Sequence, residues 1–92
     1  MANSLIIQRM LDAIKEFEAR KLSASNLEES LEMHMQALEQ IGSQEINVSR
    51  RFGYRIVAAD LADGEQEFEG DEKVSTVLNE LRRFLRSLPS EK

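Results

Sequence analysis

The strongest constraint on the fold is the helical spacing of apolar residues near both ends of the chain. Near the start, apolar residues recur at three- and four-residue steps, with charged residues between them: Leu5/Ile6/Ile7, Met10/Leu11, Ile14 and Phe17. The same spacing returns near the end: Val74, Val77/Leu78, Leu81, Phe84/Leu85 and Leu88. This period places one apolar stripe along an α-helix. The sequence therefore predicts an amphipathic helix at each of these places.

Capping and helix-stopping residues set the expected limits of these two helices. Asn3 or Ser4 can cap the first helix, and Asp71 can cap the last. Pro89 follows the last apolar residue and is expected to stop the final helix, with residues 89–92 as a flexible tail.

A second helix is predicted between the short basic connection of residues 20–23 and the glycine at position 42. Ser25 begins an S-x-x-E capping box, and Ser23 is a competing start. Gly42 is the expected residue just beyond the end of the helix. The apolar stripe of this helix comprises Leu27, Leu31, His34, Leu38 and Ile41.

The segment from Ile46 to Ala62 fits two structures. As a helix, it places an apolar residue on one face at positions 48, 52, 56 and 59. As a strand, it alternates Phe52, Tyr54 and Ile56 with other residues and needs the acidic residues 65–69 as its hairpin partner. We favour the helix, because a lone two-stranded hairpin is marginally stable in water.

Four helices with short connections predict an all-α, antiparallel four-helix bundle that forms one domain over residues 1–92. The alternative is an α+β fold of three helices with a small hairpin at about residues 46–69.

Composition narrows the function classes. The 92 residues include no cysteine, which excludes disulfides and cysteine metal sites. The formal net charge of −5 disfavours nucleic acid and anionic membranes as partners. No apolar run is long enough to span a bilayer. Leu5, Ile6 and Ile7 are too few for the apolar core of a secretory signal, so a cytoplasmic protein is expected.

No catalytic, cofactor-binding or metal-binding residues are predicted. His34 is the single histidine and is expected to pack on the apolar stripe of the second helix. The acidic run does not match a calcium-binding EF-hand loop. When Gly64 is taken as the sixth residue of such a loop, Ala59, Leu61 and Gly70 fall on positions that require side-chain oxygen ligands. The expectation is a protein without enzymatic activity.

Seven carboxylates stand within thirteen positions, with no lysine or arginine among them: Asp60, Asp63, Glu65, Glu67, Glu69, Asp71 and Glu72. Such a run can attract a basic protein and accelerate its docking, so these seven residues are the candidate partner-binding site. A second acidic set is expected on the exposed side of the second helix: Glu28, Glu29 and Glu32. The alternative is a solvated acidic connection between two helices.

Two arginine clusters flank the acidic run. Arg50, Arg51 and Arg55 lie near two aromatic residues, an arrangement that nucleic-acid readers use, although both aromatics can equally belong to the core. Arg82, Arg83 and Arg86 suit the negative end of the last helix, where Glu80 is expected to pair with Arg83.

Met33 and Met35 flank His34, and only one of the two can share the face of the histidine. Because the methionine side chain is flexible and polarisable, an exposed Met33 would indicate a soft contact surface. Core packing or isolated exposure is the alternative.

The segment from Leu11 to Ala24, LDAIKEFEARKLSA, leads into a second leucine-rich helix and resembles small bacterial immunity proteins. The type it resembles is the immunity protein of colicin D and of contact-dependent inhibition systems. The resemblance covers about the first forty residues and transfers no individual functional residue. It implies a four-helix bundle that binds a tRNA-cleaving toxin domain and blocks its basic active site with carboxylates.

The sequence thus predicts a non-enzymatic acidic helical protein that associates with and neutralises a basic protein, a nuclease toxin if the resemblance holds. The alternative is a self-associating structural or regulatory module. In that version the broad apolar stripes pair two copies into a homodimer through Leu5, Ile6, Ile7, Phe84 and Leu85.

Overall fold

The structure is a computed structural model that describes residues 3–65 and 73–89, with side chains for residues 3–60 and 73–89. It contains four α-helices: α1 (Asn3–Glu18), α2 (Ala24–Ala37), α3 (Ser43–Glu65) and α4 (Val74–Ser87). The described residues form no strand. The all-α four-helix prediction is confirmed. The hairpin alternative is wrong for residues 46–65, which form one continuous helix.

The four helices close a ring around one core. Helix α1 contacts α2 and α4, and α3 contacts the same two helices from the other side. The largest fully buried side chains come from every helix and include Met10, Ile14, Leu31, Met35, Ile56, Leu81 and Leu85. The apolar stripes predicted from the sequence therefore meet along a shared core, whose burial is the main stabilising term.

Helix α3 resolves the ambiguity of the third segment in favour of the 3.6-residue period. Phe52, Ile56 and Ala59 are buried on one face. Tyr54 is exposed, whereas a strand would place it on the same face as Phe52. Gly53 lies in the interior of this helix, where glycine costs about 1 kcal/mol relative to alanine. Tertiary packing along the apolar face outweighs that cost.

The limits of α2 differ in part from those expected. Ser23 is the N-cap, because its Oγ accepts a hydrogen bond from the amide of Asn26 at 3.1 Å. Ser25 lies inside the helix, so the capping box that begins there is wrong. The helix ends at Ala37, well before Gly42, because Leu38 turns to extended backbone while its side chain stays buried.

Gly42 instead belongs to the start of α3. Its amide donates a hydrogen bond to the Glu45 carboxylate at 3.0 Å. In a capping box, the side chain of the third helical residue accepts a hydrogen bond from the backbone amide of the N-cap residue. Glu45 and Gly42 form this half of the box. Within the connection between α2 and α3, the left-handed backbone conformation occurs at Gln40, with a φ of 62°.

Asn3 joins three parts of the chain at one end of the bundle. Its side chain is buried and donates to the carbonyl oxygens of Glu39 at 2.8 Å and Pro89 at 3.1 Å. It also accepts from the amide of Glu39 at 2.9 Å. The capping role expected for Asn3 is therefore wrong: it is the first residue of α1, and its amide fastens the segments that follow α2 and α4.

The start of α4 and the expected tail are only partly described. Lys73 is the N-cap of α4 and makes no side-chain capping bond. Asp71, the expected cap, lies outside the described residues, as do residues 90–92 of the expected flexible tail. Pro89 is described, and Asn3 holds its carbonyl oxygen.

The apolar residues that suggested self-association are mostly used within a single bundle. Ile6, Ile7 and Leu85 are buried, and Phe84 packs against Phe52 with ring centroids 5.6 Å apart. Leu5 alone of this set is exposed. Over the described part of the chain, no helix is both long and apolar enough to cross a lipid bilayer.

Candidate functional site: an acidic groove between α2 and α3

A groove of about 380 Å³ runs between α2 and α3, and we refer to it as the α2–α3 groove. Its lining comprises Glu28, Glu29, Leu31, Glu32, Met33, Gln36, Ser49, Arg50 and Tyr54. Leu31 and Ser49 are buried beneath it. The second acidic set predicted from the sequence, Glu28, Glu29 and Glu32, thus lies together in one concave surface.

Helical spacing accounts for the arrangement of this lining. On α2, Glu28 and Glu32 are one turn apart, and on α3, Arg50 and Tyr54 are one turn apart. Residues at this spacing share a helix face. Gln36 continues the α2 row by one more turn, and the two faces meet because α2 and α3 pack against each other.

One carboxylate of the groove is neutralised by an arginine from the opposite helix. The Arg50 Nη2 atom lies 2.7 Å from Glu32 Oε1, and Arg50 Nε donates to both carboxylate oxygens at 3.0 and 3.1 Å. The hydrogen bonds from Arg50 lower the pKa of Glu32, and the same bonds raise the pKa of Arg50. Because the pair is exposed, we expect it to orient the two helices more than to stabilise them.

A second carboxylate, that of Glu28, is positioned by packing. A Cβ atom added to Gly53 would lie 2.8 Å from Cγ of Glu28, closer than atoms can approach. The absence of a side chain at Gly53 therefore lets the stem of Glu28 lie against the backbone of α3. Neither Glu28 nor Glu29 makes a side-chain hydrogen bond or ion pair with any described residue. These two carboxylates carry the uncompensated negative charge of the groove.

Two large apolar side chains are exposed within the same groove. Met33 is 68% exposed and Tyr54 is 65% exposed, the two highest values among the large hydrophobic residues of the described chain. Met33 is thus exposed, which is the condition under which a soft contact surface is expected from the sequence at this residue. Tyrosine is also among the residues that most often anchor protein interfaces.

The arginine cluster of α3 is arranged for packing between helices. Phe52 is buried, so it belongs to the core and cannot stack on a base. The guanidinium carbon of Arg55 lies 5.2 Å from the ring centroid of Phe52, and Arg55 Nη2 donates to Glu80 Oε2 at 3.0 Å. Glu80 therefore binds Arg55 of α3, which corrects the expected pairing with Arg83.

Arg82 of the second cluster also links two helices. Its guanidinium donates to the Glu18 carboxylate at the end of α1 and to Asn79 Oδ1 at 3.2 Å. Three arginines thus join neighbouring helices of the ring: Arg50, Arg55 and Arg82.

The acidic run of residues 60–72 is described only at its beginning. Asp60 is exposed and lines a second groove at the end of the bundle, together with the basic residues Arg20, Lys21 and Lys73. These cations reduce the net negative charge around Asp60. Asp63 and Glu65 lie in the last turn of α3, and their side chains are outside the described set. Glu67, Glu69, Asp71 and Glu72 lie outside the described residues altogether.

His34 has a local, structural environment. It is half-buried on α2, and its Nδ1 atom lies 2.7 Å from the carbonyl oxygen of Ser30, one turn earlier. A protonated Nδ1 donates to that oxygen. The part of the chain that the structure describes contains no cluster of three or more side chains suited to holding a metal ion.

Sequence reasoning named the glutamates of the groove but missed Gly53 and Tyr54 as parts of the same surface. A glycine in the interior of a helix is a detectable signal, because it costs stability there and must be offset by close packing or function. Its partner on α2 could not be found from the sequence, since the register between two helices is set by the whole core.

Comparison of the chain with protein-family models, with curated proteins and with solved structures finds no match.

Proposed function

We propose that this protein is a non-enzymatic acidic binding protein of the cytoplasm that associates with a basic protein and neutralises its basic surface. The observation that carries the proposal is the α2–α3 groove. There, Glu28 and Glu29 have no cationic partner among the described residues, and Met33 and Tyr54 are exposed beside them.

The combination of charge and apolar exposure is what favours a protein partner. Uncompensated carboxylates give long-range attraction and orient an approaching basic surface. Exposed tyrosine and methionine side chains then supply contact area that becomes buried on docking. A net charge of −5 adds to the attraction. The seven carboxylates that the sequence carries at positions 60–72 are part of this negative charge.

The class of partner that we propose is a nuclease toxin domain, with this chain as its immunity protein. An enzyme that cleaves RNA presents a basic groove shaped for phosphates, and a rigid acidic helix pair can occupy such a groove. The resemblance of the first forty residues to colicin D-type immunity proteins supports the same partner.

The test is a capture experiment with tagged protein in a lysate of the source organism at low salt, followed by elution at high salt and mass spectrometry. The decisive variant is Glu28→Gln/Glu29→Gln. Its matched control is Glu16→Gln/Glu39→Gln, which removes the same charge from exposed positions outside the groove.

We expect the wild type and the control to retain one basic protein that the groove variant loses or binds less well. Retention by all three proteins would exclude the groove from the interface. Recovery of the bait alone, as a dimer by light scattering, would refute the proposal in favour of self-association.

A further inference from the structure

Building on the proposed function, we infer that Glu28 and Tyr54 form a receptor for one arginine or lysine side chain of the basic partner, with Gly53 holding Glu28 in position. Three features of the α2–α3 groove support this assignment: a glycine in a helix interior, a carboxylate without a partner among the described residues, and an exposed aromatic ring that lines the same groove.

Gly53 is unexplained by the local backbone of α3. The residue lies in the middle of a helix, and it is not in the left-handed region that requires glycine. What the glycine does provide is space: any Cβ at this position would displace the Cγ atom of Glu28. A residue that breaks a local rule at a groove is expected where function, and not stability, selects it.

The carboxylate positioned by Gly53 is available to a ligand. Glu28 is half-buried, and no described residue donates a hydrogen bond to its side chain. The neighbouring Glu32 is already bound by Arg50. An incoming cation therefore meets Glu28, with Glu29 beside it. Charge-assisted hydrogen bonds between a carboxylate and a guanidinium or ammonium group are stronger than hydrogen bonds between neutral groups.

Tyr54 supplies the second element of the receptor. It follows Gly53 directly in the chain, lines the same groove as Glu28 and is 65% exposed. An aromatic face attracts a cation within about 6 Å of its centroid, and α3 uses this geometry internally, where Arg55 lies over Phe52. The exposed Met33 provides an apolar surface for the alkyl stem of the bound residue. An anionic ligand would face uncompensated carboxylates, which excludes phosphate.

The chain carries its own reporter for this site. Tyr54 is the only tyrosine and the chain has no tryptophan, so tyrosine fluorescence reports on the groove alone. The probe is a short acetylated and amidated peptide of alanine and arginine. Its control replaces each arginine with citrulline, which has nearly the same shape and no charge. A third peptide with lysine distinguishes the two cations.

We expect saturable changes in Tyr54 fluorescence with the arginine or lysine peptide and none with the citrulline peptide. Glu28→Gln and Gly53→Ala should each weaken peptide binding by about tenfold, equivalent to about 1.4 kcal/mol. Glu16→Gln should leave the affinity unchanged. Circular dichroism verifies that Gly53→Ala remains folded, and Glu28→Gln tests the receptor without a change in the helix.

Equal response to the citrulline peptide, no response to either cationic peptide, or unchanged binding by Glu28→Gln would overturn the receptor. These results are separable from the capture experiment. If the basic protein is still lost from Glu28→Gln/Glu29→Gln while the peptides fail to bind, the groove is the interface and the single-residue receptor is wrong. If capture is also unaffected, both proposals fail.

Discussion

Replacing Asn3 with alanine should lower the thermal midpoint of unfolding by about 8–16 °C. The Asn3 side chain is 3% exposed and makes hydrogen bonds to two segments far away in the sequence. Its amide donates to the carbonyl oxygens of Glu39 and Pro89, and its oxygen accepts from the amide of Glu39. Alanine removes all three bonds and leaves backbone groups without their partners.

The magnitude follows from the number of bonds and from their surroundings. A typical hydrogen bond contributes about 1 kcal/mol net to stability, so three bonds set a ceiling of about 3 kcal/mol. Glu39 and Pro89 lie at the surface, where water can replace part of what is lost. We therefore expect a loss of about 2 kcal/mol, and each kcal/mol shifts the midpoint of a domain of this size by about 4–8 °C.

The assay is thermal unfolding followed by circular dichroism, with two comparison variants. Asn3→Asp keeps the acceptor but loses both donated bonds, so its midpoint should also fall. Ser4→Ala changes the exposed neighbour and should leave the midpoint within about 2 °C, because surface substitutions are close to neutral. An Asn3→Ala midpoint equal to that of Ser4→Ala would refute the role of Asn3 in fastening the bundle.

Three further predictions concern charge and capping. Replacing Glu65, Glu67 and Glu69 with glutamine should leave the fold intact and slow association with the basic partner, most at low salt, where screening is weakest. Association rates measured over a salt series check this, and unchanged rates would remove these residues from the interface. Glu32→Gln should destabilise the protein slightly near neutral pH, as loss of an exposed ion pair does, but not in acid, because Arg50 lowers the pKa of Glu32 below its ordinary value of 4.5. The contribution of a carboxylate with a lowered pKa is present above its ordinary pKa and disappears as the pH falls through the folded value. Thermal midpoints of the wild type and of Glu32→Gln, measured over the same series of pH values, test this prediction. A difference between the two midpoints that stays constant with pH would contradict it. Ser23→Ala should cost about 1 kcal/mol through loss of the N-cap, whereas Ser25→Ala should be nearly neutral. Denaturant unfolding measures both, and the reverse order would place the cap at Ser25.

Most of the helical structure was predictable because it follows from a local period. In α3, Phe52, Ile56 and Ala59 are buried on one face. The packing of this face outweighs the cost of Gly53 to helix stability. The end of α2 was predicted wrongly for the opposite reason. Gly42 is a good local stop signal, but the helix ends at Ala37, where Leu38 takes extended backbone and has its side chain in the core.

The candidate site was predictable only in part. The exposed side of α2 could be recognised as acidic, since Glu28, Glu29 and Glu32 avoid its apolar stripe. It could not be predicted that Glu32 would be paired while Glu28 and Glu29 have no cationic partner among the described residues. That outcome depends on Arg50 reaching Glu32 from another helix and on Gly53 admitting the stem of Glu28.

The sequence by itself determined the helical class, the position of the apolar faces and the sign of the surface charge, because each depends on residue type and short-range spacing. The tertiary structure decided the partners of the charged side chains and of Asn3, which lie 18 to 86 positions apart in the chain. Only the packing of four helices around one core brings such distant residues within hydrogen-bond distance. The same packing leaves Tyr54 exposed and the Glu28 carboxylate without a hydrogen bond from any described residue.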